Sequence, residues 1–241
     1  MYKKLDYLRI PSEEAKVWRY ISLAKFISLL DTQSLYFSSL NKLSSVDRFE
    51  GLYPNFDDNS FLPDANISSV IGNARKFTKN YRKHFFVNCW HLNDNECDGM
   101  WKIYGGSEPA IAIQTNIKKL KDSFDNCQED IFIGKVEYDD NPRITTRIPT
   151  CFYKRTAFSF ERELRIGFEK IPKNEEGKFD VNCEPQKCGY SINVDAKTLI
   201  ERIIVSPTAS SWFYNIVKSI TTKYNLSEYI IAYSKLKNRP Y

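Results

Sequence analysis

The sequence predicts an α+β fold in a single domain, on three observations. Segments with an alternating apolar pattern and segments with a helical apolar period succeed one another along the chain. Both kinds are short, and none frames the long strand–helix–strand crossovers of a doubly wound sheet. No Pro-, Gly- or Ser-rich linker divides the 241 residues into halves of different composition. A chain of that length buries on the order of 70–75% of its unfolded surface, so its core stands without metal or disulfide staples.

The elements follow in order. Val17–Ile21 reads as a strand, and Ser22 caps a helix whose Leu23, Phe26, Ile27 and Leu30 share one face. Leu35–Ser38 is a second strand. Residues 40–66 read as a long loop, rich in aspartate and holding two prolines, and loops of that length are usually functional. Ile67–Lys83 is predicted helical. Its Arg75, Lys76, Lys79, Arg82 and Lys83 lie mostly off the apolar stripe, either as a solvated face or as a surface for phosphates. His84–Trp90 is a strand, followed by a short helix ending near Tyr104. Pro109–Thr115 is a strand, Asn116–Phe124 a helix and Ile131–Tyr138 a strand. Residues 141–150 read as irregular and Phe152–Phe158 as a short helix. Arg162–Phe168 is a strand, and a polar insertion fills 171–189. Tyr190–Val194 and Arg202–Val205 are strands joined by a short helix capped by Asp195. Ser210–Tyr224 is a helix and Glu228–Tyr233 the last strand.

Composition excludes several classes. With 42% hydrophobic and 27% charged residues the chain is neither disordered nor a coiled coil. No apolar run approaches the ~18 residues of a membrane span. The opening MYKKLDYLRIPSEE lacks the apolar stretch of a secretory signal, which predicts a cytoplasmic protein whose six cysteines are reduced. A net charge of +5 permits contact with nucleic acid without demanding it. There is no P-loop, GxGxxG, GxSxG or HExxH, and with only His84 and His91 a histidine-rich metal site is excluded. Cys183 and Cys188, with Cys89, His91 and Cys97, have spacings zinc could use, and a Cys–His91 nucleophile is the other open reading. No metal is expected.

Three stretches are too unusual to be generic: Trp18–Leu23 followed by Leu35–Ser38 and Asp47–Gly51; Val87–His91 with Glu96 and Met100–Gly105; and Phe160–Ile166 followed by Glu201–Pro207. In this order they resemble the bacterial and phage family called domain of unknown function 2971, over about residues 17–233. Arg48 stands where that family shows an Asp-Pro pair. More distantly, the opening is similar to the start of ADP-ribosyltransferase domains: an aromatic, a basic residue and a tyrosine, then a helix and a short strand. That resemblance implies a split, bent sheet and NAD as substrate. It makes Glu163 the catalytic carboxylate and Glu161 its companion in a Glu-x-Glu pattern. It places Arg19, Tyr20, Ser38, His91, Trp101, Tyr104 and Arg165 around the dinucleotide, with one aromatic stacking on it. It further implies a macromolecular acceptor, protein or nucleic acid, in a bacterial or phage conflict setting. The rival readings are a non-enzymatic module that senses a nucleotide or a partner, and a nucleic-acid-binding accessory protein using the basic 75–83 segment. On the strand reading, alternation puts Glu161, Glu163 and Arg165 on one face, opposite Leu164, Ile166 and Phe168.

Overall fold

A computed structural model describes residues 1–52, 65–105, 108–140 and 148–237. In chain order the elements are β1 (Lys16–Ser22), α1 (Leu23–Thr32), β2 (Ser34–Ser39), α2 (Leu40–Leu43), α3 (Ala65–Tyr81), β3 (Phe85–Leu92), α4 (Asp98–Gly105), β4 (Ala110–Asn116), α5 (Ile117–Asp122), β5 (Phe132–Lys135), β6 (Glu137–Tyr138), β7 (Tyr153–Lys154), β8 (Glu163–Glu169), β9 (Gly189–Asn193), α6 (Ala196–Leu199), β10 (Arg202–Val205), α7 (Ser211–Lys223) and β11 (Ile231–Tyr233). Short 3₁₀ turns cover Ile148–Phe152 and Thr156–Glu161. The mixed α+β class is as the sequence predicts. Among the described residues, no helix is long and apolar enough to cross a membrane.

Local chemistry sets the boundaries. The Ser22 hydroxyl accepts from the Lys25 amide at the start of α1, and Asp195 accepts from the amides of Lys197 and Thr198 at the start of α6. Gln33 ends α1 in the left-handed region at φ 47° and turns the chain straight into β2.

Among the described residues, nine strands form one sheet in the order β11-β10-β4-β1-β3-β2-β9, with β8 and then β5 joined to β3. Every pairing is antiparallel except β10 with β11, which α7 connects as a single crossover unit. The sheet forks at β3. Strand β8 pairs with β3 from Phe85 to His91 and so occupies one whole edge. The other edge is shared: β1 holds His91 and Leu92, while β2 holds Phe86 and Val87. Between those contacts β1 and β2 part, leaving Asn88–Trp90 without a strand on that side.

Strand alternation then builds two faces. On one, Val17, Ile21, Phe86, Trp90, Ile111, Ile113, Leu164, Ile166 and Phe168 join α1, α5 and α7 in the main core. On the other, Trp18, Tyr20, Ala112 and Ile204 pack under α4, and Phe85, Val87, Phe132 and Phe152 form a separate cluster. At Gly167 a Cβ would come within 2.6 Å of the Phe85 ring, so the aromatic packs against bare backbone there.

Several expectations change. Residues 40–43 are helical rather than loop, and 53–64 and 141–147 lie outside the described residues. The predicted helix over Phe152–Phe158 is instead a 3₁₀ turn, the short strand β7 and a second 3₁₀ turn. Tyr153 and Lys154 pair with Glu137 and Tyr138. The predicted 171–189 insertion is a loop up to β9 with one bridge, Lys173 to Phe179, lying back on the end of α3 and the turn after it through Asn80–Asn182 and Lys83–Glu184 contacts. The basic segment is partly consumed: Arg82 donates to the carbonyls of Arg48 and Glu50, and Lys83 pairs with Glu184.

Candidate functional site

The fork opens a cleft of about 310 Å³, a size at the lower end of small-molecule sites. Its floor is Val87–Trp90 of β3, and its sides come from β1 (Trp18–Ile21) and β2 (Tyr36 and Ser38). Lys25, Leu43, Met100, Tyr104, Glu161 and Glu163 complete it.

A forked sheet leaves backbone groups unpaired, and side chains take them up. The Arg19 guanidinium donates to the Cys89 carbonyl at 2.5 Å, and Asn88 Nδ2 donates to the Tyr36 carbonyl at 2.9 Å. Trp90 Nε1 in turn donates to Asn88 Oδ1. Arg19 lies 5.9 Å from the Trp90 ring centroid and, among the described residues, has no carboxylate partner. Burial pulls its guanidinium below the ordinary arginine range. A desolvated cation that keeps most of its five donors unspent is suited to an anion.

The opposite wall is acidic and tightly wired. Glu163 is buried and takes a two-pronged contact from Arg165, Nε to Oε1 at 3.0 Å and a terminal nitrogen to Oε2 at 3.1 Å. Arg165 is fully buried and also donates to Glu50 at 2.7 Å and to the Cys151 carbonyl at 2.6 Å. The Lys154 ammonium lies against Glu161, 3.3 Å from Glu163 and 3.7 Å from Glu50. Burial alone would raise the Glu163 carboxyl, but Arg165 and Lys154 outweigh it and hold Glu163 down at about 2. For Glu161 burial wins over Lys154, and its carboxyl sits above the usual range. Three carboxylates face two cations, so with all ionised one negative charge is left over at the cleft wall.

The loop over Asp47–Gly51 closes this network from behind. Asp47 pairs with Arg155 at 2.8 Å, and Arg155 lies over the rings of Phe49 and Phe158. Gly51 takes φ 67°, and a Cβ there would press on Leu40 and Arg82 at 3.1 and 3.2 Å.

The structure therefore brings together Arg19, Tyr20, Ser38, Tyr104, Glu161 and Glu163 of the residues singled out from sequence. Glu161 reaches the cleft from the end of a 3₁₀ turn and not from the strand. Arg162 at φ 42° breaks the extended run, so the expected three-charge strand face is reduced to Glu163 and Arg165. Three others do not line the cleft. His91 is buried with Nδ1 2.6 Å from the Glu161 carbonyl, and burial holds its ring below the usual histidine range. Trp101 is buried edge-on to Tyr20 and donates to Glu96. Arg165 lies beneath Glu163 with no exposed surface. The charges on that strand face are not exposed but form a buried cluster. Tyr20 is half used, since its hydroxyl accepts from the Cys97 amide. Sequence reasoning missed Lys154 and Glu50. Lys154 fell within a presumed helix, and Glu50 sits 115 positions from the arginine it neutralises. Glu96 accepts from Trp101, Ser234 and the Lys235 amide and ties α4 to the end of β11.

In comparisons with known proteins, no family model, no curated protein and no solved structure matches this chain.

Proposed function

We propose that the cleft binds NAD and breaks its nicotinamide–ribose bond, transferring ADP-ribose to a macromolecule or to water. The observation that carries this reading is the bipolar cleft. One side offers the guanidinium of Arg19, which has no carboxylate partner among the described residues, and the other the surplus negative charge of the Glu161–Glu163 wall. NAD has the complementary pattern, an anionic pyrophosphate and a cationic nicotinamide ring. The forked sheet agrees with the split sheet that the resemblance to ADP-ribosyltransferase domains implies. When the bond breaks, its electron pair goes to the nicotinamide nitrogen and positive charge moves onto the ribose. A fixed carboxylate stabilises that state without reorganising. The nucleophile then bonds to the ribose carbon and releases a proton.

The geometry favours Glu161 over Glu163 as the carboxylate that touches ligand. Glu163 already takes contacts from Arg165 and Lys154 on both oxygens, whereas among the described residues Glu161 has Lys154 as its one ion-pair partner. Glu163 then supplies field rather than contact. Arg19 holds the pyrophosphate, and Tyr104, half exposed at the rim, offers a stacking face. The saturation of Glu163 also favours one second reading, a nucleotide-sensing module that binds without turnover.

Nicotinamide release from NAD, followed beside thermal melts with NAD, ADP-ribose, ATP and nicotinamide, tests both. Turnover that falls by about 10²-fold or more in Glu161→Gln with an unchanged melt supports the enzyme. NAD stabilisation that is lost in Arg19→Ala, with no turnover in any form, selects the sensor. Neither stabilisation nor turnover overturns the proposal.

A further inference from the structure

The end of β3 grips the chain just ahead of β8 at two successive residues. The Leu92 amide donates to the Arg162 carbonyl at 2.8 Å. One residue earlier, His91 Nδ1 lies 2.6 Å from the Glu161 carbonyl, which can only accept, so Nδ1 carries a proton. The turn held in this way is an unfavourable one. Arg162 stands in the left-handed region at φ 42° with a full side chain, a conformation that persists only where its surroundings impose it. The His91 ring is 2% exposed and edge-on to Tyr20, with ring centroids 6.3 Å apart. Burial holds the ring neutral. Its second nitrogen, Nε2, is buried and meets no hydrogen-bond partner among the described residues. A buried polar ring with one nitrogen idle is a cost that calls for a cause. The one hydrogen bond it makes is to the residue whose carboxylate enters the cleft.

We propose, on the reading of Glu161 as the carboxylate that touches ligand, that His91 is its positioning residue: the ring pins the Glu161 carbonyl to the end of β3 and so aims the Glu161 side chain into the cleft. The carbonyl carbon is bonded to the α-carbon that carries the side chain. With a 3₁₀ turn before it and the Leu92–Arg162 bond after it, a fixed carbonyl leaves the Cα–Cβ bond one direction. Beyond its backbone Glu161 has, among the described residues, the Lys154 ammonium alone to hold it, and Lys154 is shared with Glu163 and Glu50. Glu163 needs no such support, because Arg165 grips both of its oxygens. The two carboxylates of the wall are thus held by different means, Glu163 by the charges on it and Glu161 by the backbone behind it. A carboxylate anchored through its backbone can be rigid and still keep an oxygen for a ligand, and Lys154 takes only one oxygen of Glu161.

Nitrogen NMR of the full chain at neutral pH reads the ring directly. The chain has only two histidines, so the His91 signals are assigned by their loss in His91→Asn. His91 should be neutral, with its proton on Nδ1 and Nε2 bare; a charged ring or a proton on Nε2 overturns the proposal. His91→Leu then removes the donor, whereas His91→Asn keeps an amide N–H at the Nδ1 position. Should His91→Leu not fold, His91→Gln, whose N–H sits at the Nε2 position, takes its place. Carboxyl carbon NMR follows Glu161, assigned by its loss in Glu161→Gln. The charges facing it are Lys154, Glu163 and Arg165, and burial holds its carboxyl above the usual range. In His91→Leu it should fall toward the free group's 4.5 as the side chain swings into water, and in His91→Asn it should stay where the parent has it. Glu163, gripped by Arg165, should remain at about 2 in both. An unchanged Glu161 in His91→Leu, or Glu161 and Glu163 moving together, makes His91 a structural residue only and overturns the proposal. None of these readings uses NAD, so they are decided apart from the turnover assay. Where the parent turns NAD over, kcat should fall about tenfold in His91→Leu at unchanged KM and recover in His91→Asn. A raised KM with kcat intact overturns it as well.

Discussion

The two ends of β8 carry charge on the same face of the sheet and treat it in opposite ways. At the first end Glu163 and Arg165 are covered by the Asp47–Gly51 loop and by β7. Each oxygen and nitrogen there has a named partner. At the other end Glu169 and its neighbour Lys170 border an open groove, and Lys170 and Glu129 are 46% and 30% exposed. The same alternation produced both. The difference lies in what the rest of the chain lays on top. Covered charge must be balanced group by group, because each unmatched ion costs several kcal/mol (roughly) in a low dielectric. Uncovered charge is balanced by water and salt, and remains available to a ligand.

The largest expected effect is therefore at the covered end. Arg165→Leu removes the cation that Glu163 and Glu50 share and leaves two buried carboxylates with Lys154 alone. Removing one partner from a buried pair costs about 3–5 kcal/mol. In a chain of this size that lowers the melting temperature by on the order of 10 °C. A melt within about 2 °C of the parent would show that the network is solvated, and would break the contrast.

Acid should act at the same end. The Glu163 carboxyl is held at about 2 when folded, against 4.5 for the free group, with Arg165 and Lys154 outweighing burial. A depressed value means that the stabilisation is fully present above pH 4.5 and is lost as the pH falls from there toward 2. Urea melts at pH 6 and pH 3 should differ by on the order of 2 kcal/mol from this group alone. In Glu163→Gln the acid limb should flatten although the protein is weaker at neutral pH. An identical acid limb in both forms would remove Glu163 as the group responsible.

How much of this was legible in the sequence follows from the range of each cause. Strand and helix periods are local, so β1, α1, β2, β4, β10 and α7 stand close to where the pattern put them, and the caps at Ser22 and Asp195 are where the residue types put them. The fork depends on which edge of β3 each strand takes, a choice made by pairings more than forty residues apart. Arg19 and Glu163 illustrate the limit. Strand alternation places them on opposite faces, and they share a cleft because β1 and β2 part between them. Lys154 was hidden by a mistaken helical period across a turn–strand–turn segment. His91 was singled out as a polar ring and Trp101 as a stacking face, but both are turned inward: one His91 ring nitrogen meets the Glu161 carbonyl, and the Trp101 indole donates to Glu96. The groove went unseen because its walls come from α3, β5, the end of β8 and the 171–189 loop, segments that no single motif joins.

The smallest expected effect is at the open end, and its smallness is the sharpest test of the contrast. Lys170→Ala removes the cation that lies on Glu129, as Arg165→Leu removes the one that lies on Glu163. Here both partners keep water, so the loss should be at most about 1 kcal/mol. That is a melting shift of no more than about 4 °C. The shift should shrink in 1 M salt, where the screening length is about 3 Å. No such rescue is expected for Arg165→Leu, because salt does not reach a fully buried guanidinium. Paired melts at low and high salt check each part. A salt-independent loss above about 2 kcal/mol in Lys170→Ala would mean that this charge too is held in a closed network, and the two ends of β8 would then differ in degree and not in kind.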